Sequence, residues 1–169
     1  MKAILPMPWM YKLRTFSIAL VSVFMLLLSG CMPDECKDKT CENGAACVNG
    51  ACICPDWFEG ENCEKRISQR FTGAYAGPYN CASLSDIVLT VTESAEVINQ
   101  INLTNFQLTG TLTAQNKFDI PEQDFIHPVT GAVLRISGNG SVNEGRLLVN
   151  FRGVNDPSFI CSFQGTVIL

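Results

Sequence analysis

Apolar and polar residues alternate with a period of two in four runs of the second half of the chain, 87–92, 106–112, 147–152 and 159–164. Successive side chains of a strand point to opposite faces, so each run predicts a half-buried β-strand. Turn-forming clusters punctuate the same region: 127–131 around His127-Pro128, Gly138-Asn139-Gly140, Asn143-Glu144-Gly145 and Asn155-Asp156-Pro157. No helical period of useful length competes after residue 68. The pattern predicts a mainly β fold over residues 71–169, an antiparallel meander of about seven to nine strands forming a small barrel or sandwich. Phe159, Cys161, Phe163, Val167 and Leu169 share one face of the last strand, which places Cys161 inward.

The first half follows different rules. Lys2, Lys12 and Arg14 precede an uncharged apolar run over 16–28, with no acid before residue 34. A basic segment before an apolar one is the layout of a secretory signal. The run is shorter than the roughly 20 residues that a permanent transmembrane helix needs, so residues 1–30 are expected to be removed. Leu28-Ser29-Gly30-Cys31 then resembles the lipobox of bacterial lipoproteins. The resemblance implies cleavage before Cys31, lipidation of Cys31 and attachment to a membrane; several acyl chains on one residue suffice for stable anchoring. Met10 is an alternative start, followed directly by Tyr11-Lys12-Leu13-Arg14.

The chain has nine cysteines, an odd number that cannot pair completely. Assigning Cys31 to lipid leaves eight. Six of these follow the spacing Cys36-x4-Cys41-x5-Cys47-x4-Cys52-x-Cys54-x8-Cys63, a density needed by a segment too small to bury an adequate apolar core. Spacing alone permits fifteen connectivities. Residues 52–63, with Glu42-Asn43-Gly44 and the hairpin signal Asn49-Gly50, resemble an epidermal-growth-factor-like (EGF-like) domain. That resemblance covers 36–63 and implies the pairs Cys36–Cys47, Cys41–Cys52 and Cys54–Cys63. Trp57 departs from it, standing where the family usually has glycine. Cys81 is then the remaining partner of Cys161. A zinc site is disfavoured by the Cys-x-Cys spacing and the absence of a nearby histidine. Calcium is disfavoured because the loop 48–51 is too short for a ligand cage, although Asp34-Glu35 partly resemble a calcium-binding segment. The same two acids resemble an export signal of surface lipoproteins from Bacteroidetes-like bacteria.

Charge sharpens the partner classes. The full chain carries −4, and loss of residues 1–30 with their three cations takes it to −7. Binding to nucleic acid through phosphate neutralisation is therefore not expected. Hydrophobic residues make up 47% and charged residues 17%, which excludes a wholly disordered chain. Candidate catalytic groups are few. His127 is the only histidine and precedes proline in a turn; no Gly-x-Ser-x-Gly elbow or phosphate-cradling loop occurs. Asp119, Glu122 and Asp124 around Ile120-Pro121 read as a solvated acidic loop. Asn102-Leu103-Thr104 and Asn139-Gly140-Ser141 match the glycosylation acceptor pattern, which matters only in a eukaryotic secretory pathway.

The expected organisation is a signal peptide (1–30), a tether (31–35), an EGF-like domain (36–64), a polar linker (65–70) and a β-domain (71–169). Phe71-Thr72-Gly73-Ala74-Tyr75, 136–140 and 161–169 give the β-domain a resemblance to small lipocalin-like domains of envelope lipoproteins. The functional expectation is a non-enzymatic, lipid-anchored envelope protein, at the outer membrane and surface-displayed, without metal or cofactor. Its EGF-like spacer presents the β-domain, and Trp57 and Phe58 are candidate contact residues for a protein or glycan partner. The alternatives are a carrier of a small apolar ligand and a secreted eukaryotic EGF-like protein.

Overall fold

The computed structural model describes residues 35–81, 83–127 and 130–168. The expected signal peptide (1–30), Cys31, Asp34 and Leu169 lie outside them. The cysteine-rich part contains two minimal sheets. Strands β1 (Ala46–Val48) and β2 (Ala51–Ile53) form a hairpin, and β3 (Phe58–Glu59) pairs with β4 (Lys65–Arg66). Asn49 and Gly50, both at positive φ of 49° and 75°, close the first hairpin in the left-handed pair that its two-residue loop demands. A 3-10 turn, Ile67–Phe71, follows.

Eight strands then run up and down: β5 (Gly73–Cys81), β6 (Ser83–Glu93), β7 (Gln100–Leu103), β8 (Leu108–Ala114), β9 (Lys117–Ile126), β10 (Val133–Asn143), β11 (Arg146–Gly153) and β12 (Ile160–Ile168). Each pairs antiparallel with the next, and β12 pairs back to β5, so the sheet closes into a barrel. Closure removes the exposed edges that an open sheet of this length would present.

Several sequence expectations are corrected. Gly138-Asn139-Gly140 is not a turn but the middle of β10. Phe106 precedes its strand, in a 3-10 turn over Thr104–Phe106 that ends on Gln107 at a φ of 55°. Asp119, Glu122 and Asp124 lie within β9 rather than in a loop. Val167 is 42% exposed, so the inward face of β12 ends at Gly165. Residues 65–70 are not an open connector: Lys65–Arg66 form β4, and Ile67 and Ser68 are buried in the 3-10 turn.

Aromatic rings fill the interior. Phe71, Tyr75, Phe118, Phe125, Phe151 and Phe163 are all fully buried, each worth about 1.5–3 kcal/mol in removed apolar surface. Glycines make room for them. A Cβ on Gly140 would overlap the ring of Phe118, and one on Gly110 would sit 2.7 Å from it. Within β10, Gly140 thus admits Phe118, while a Cβ on Gly138 would overlap the Asn150 carbonyl of β11; along the chain the same two glycines signal a turn. The 3-10 turn Ile67–Phe71 plugs the end at which the chain enters, with Phe71 edge-on to Phe118 at 5.7 Å. At the other end Phe106 covers Tyr79 (5.1 Å) and Phe151 (5.9 Å).

Candidate functional site

Three bonds staple the cysteine-rich module: Cys36–Cys47, Cys41–Cys52 and Cys54–Cys63. These are the pairs implied by the EGF-like resemblance. Cys81 is bonded to Cys161, joining the end of β5 to the start of β12. Lys39 donates to Glu61 at 2.7 Å, and that bond together with the cation's charge holds the Glu61 carboxyl below the ordinary range.

Trp57 occupies its position in the conformation glycine would adopt, with a φ of 70°. A large side chain is rare there because its Cβ crowds the backbone. Two contacts hold it. Its carbonyl accepts a hydrogen bond from the Ile67 N–H at 2.9 Å, and its half-buried ring packs against the barrel core. Phe58 is half-buried in β3, opposite Arg66. More bonds cross the same junction. Arg70 grips Glu59 with two guanidinium nitrogens, one of them at 2.8 Å, and Ser68 donates to Glu93 at 2.5 Å. Trp57 thus faces the protein's own barrel, and the module is clamped onto the barrel end closed by Phe71.

The outer wall carries a different kind of surface. Pro121 and Glu122 bulge from β9 opposite Ser137, where the register shifts between Ile136 and Gly138. Pro121 has no N–H to give the ladder, so the bulge is where it can be accommodated. A hollow of about 650 Å³ lies here, and a second of about 330 Å³ adjoins it. Asp119, Asn139 and Asn150 line both. These three are register partners, Asp119 facing Asn139 and Asn139 facing Asn150, so they form one row across β9, β10 and β11. All three are exposed, and among the described residues no hydrogen bond or ion pair engages their side chains. Along the chain Gly138-Asn139-Gly140 carries a turn signal that hides this row; only the strand register brings residues 119, 139 and 150 together.

The buried polar groups are otherwise structural. His127 is buried in the β9–β10 loop, where its Nδ1 accepts from the Thr130 N–H at 3.2 Å. The Tyr75 hydroxyl donates to the Phe71 carbonyl at 3.0 Å. The Tyr79 hydroxyl is buried with no hydrogen-bond partner among the described residues, and burial pushes its pKa up to about 12. Among the described residues no group of three or more His, Cys, Asp or Glu side chains is placed to hold a metal ion.

Comparison with known proteins locates one likeness. The Neural-cadherin of Drosophila melanogaster is 55% identical over 42 residues, which cover 21% of this chain and 1% of that protein. No family model matches the chain, and no solved structure matches it. The disulfide pairing of the cysteine-rich module is the one the EGF-like resemblance implies. Beyond it the barrel stands on its own geometry.

Proposed function

We propose that this chain is a lipid-anchored protein of a bacterial cell envelope, attached through Cys31, in which the EGF-like module is a rigid spacer and the barrel a non-enzymatic binding module at the outer membrane surface. The observation that carries the reading is the clamp between module and barrel. The Ile67–Trp57 hydrogen bond, the Arg70–Glu59 pair and the Ser68–Glu93 bond tie the two together across a junction with no free linker, an arrangement suited to holding a domain at a set distance from an anchor. The interior, filled by aromatic rings, lends no support to a ligand carried inside the barrel.

Amino-terminal mass spectrometry of the mature protein tests the anchor. The expected chain begins at Cys31 carrying diacylglycerol, and Cys31→Ser moves the protein from the membrane fraction to the soluble one. A chain beginning after Gly30 with unmodified Cys31 overturns the reading. It would favour the second one, a secreted eukaryotic EGF-like protein, which the similarity to a fly protein supports.

A further inference from the structure

We infer that the row Asp119–Asn139–Asn150 on the outer wall is a binding site for a neutral carbohydrate chain. The inference rests on the binding-module reading and names the ligand class.

The row is longer than three residues. Register carries it to Thr111 on β8 and to Ser162 on β12, giving five successive hydroxyl, carboxylate and amide side chains across five strands. Neighbouring strands lie about 4.8 Å apart, so the row presents donors and acceptors at a regular step along a line. An amide offers both a donor and an acceptor at one position, which matches vicinal sugar hydroxyls that likewise do both. The hollow is open and continues into the second one along the row, suited to a chain laid across the strands rather than to a compact molecule enclosed in a cavity.

Charge selects against ionic ligands. Around the hollow the carboxylates Asp119, Glu122 and Asp124 are matched by Lys117, Arg135 and Arg152. Arg135 takes up two of the three acids, reaching Asp124 at 3.3 Å and Glu122 at 4.0 Å. The balance leaves no excess cation to draw a nucleic acid or an anionic membrane. A peptide binding by strand addition needs an open sheet edge, and the closed barrel has none. Ile160 at one flank and Leu148 at the other are 66% and 37% exposed. They offer apolar contact to the C–H face of a sugar ring beside the polar row.

The test uses the full-length chain in detergent, titrated calorimetrically with cellohexaose, xylohexaose, mannohexaose and maltohexaose, and with polygalacturonate and heparin as anionic comparators. At least one neutral oligosaccharide is expected to bind, with an affinity that changes little between low and high salt. The double variant Asn139→Ala/Asn150→Ala should weaken it roughly tenfold or more, the loss expected when two hydrogen-bonding amides are removed. Thr92→Ala, on the exposed face of β6, should leave it unchanged, and circular dichroism should show all variants folded. Failure of every neutral oligosaccharide to bind at about millimolar concentration, binding of the anionic polymers alone, or binding that survives the double variant each overturns the inference. None of these results alters the anchor reading, which the amino-terminal mass decides separately.

Discussion

Gly140 matters through a ring on another strand. The space its missing Cβ leaves is filled by Phe118, which also lies over Gly110, so alanine at 140 should overpack the interior. Gly140→Ala is expected to lower stability by about 1–3 kcal/mol in urea unfolding, and adding Phe118→Leu should recover part of that loss, a non-additivity expected of groups in contact. Tyr79 shows the opposite situation, a buried hydroxyl with no partner among the described residues. Tyr79→Phe should be neutral or stabilising at pH 7, since it deletes an unsatisfied polar group. The pH dependence has a definite sign. The unfolded phenol releases its proton near pH 10, whereas the folded one holds it to about 12. Stability from this group is therefore complete below pH 10 and is lost as pH rises to 12. Urea midpoints measured across that window should fall more steeply for the native chain than for Tyr79→Phe. At Trp57 an interdomain hydrogen bond and core packing hold a tryptophan in a conformation that favours glycine.

Among the elements, the strands with clean alternation were legible. Runs 87–92, 106–112, 147–152 and 159–164 overlap β6, β8, β11 and β12, with ends that differ by a few residues. The hairpin at Asn49-Gly50 and the turn after Asn143 were legible as well, since their positive φ values call for such residues. Strands β7, β9 and β10 were not. The first is four residues long, the second is broken by the Pro121 bulge, and the third carries Gly138 against the β11 backbone and Gly140 against Phe118. Near the bulge β8 is finished by a side chain. The Gln123 amide accepts from the Thr109 N–H and donates to the Thr109 carbonyl, both at 2.8 Å, taking the place of a neighbouring strand. Gln123→Met keeps the length of the side chain and strands both backbone groups. It is expected to cost about 1–3 kcal/mol, and hydrogen exchange should show the Thr109 amide losing protection.

For the whole molecule, the bond Cys81–Cys161 spans 80 residues and ties the second end of the barrel across β5 and β12. The chain-entropy relation gives about 4 kcal/mol for a loop of this size. Cys81→Ala/Cys161→Ala should lose roughly that much in urea unfolding while keeping a β-sheet circular dichroism spectrum, because closure depends on the ladder between β12 and β5 as well as on the bond. Trp57→Ala should act differently, loosening the clamp between module and barrel. Limited proteolysis near residues 64–70 is its expected signature, with the three module disulfides intact.

Class, cysteine partition and module order were determined by local features of the chain. Period-two alternation reports which face of a strand is buried, an odd thiol count demands one unpaired function, and dense cysteines mark a unit too small for a core of its own. Tertiary structure decided what depends on distance between segments. Whether the meander closes is set by β12 meeting β5, and the need for glycine inside β10 is set by the β11 backbone packed against Gly138 and by the ring of Phe118 against Gly140. The polar row of the outer wall is of the same kind. Asp119, Asn139 and Asn150 are neighbours only through strand register, and register is fixed by which side chains the barrel interior can hold.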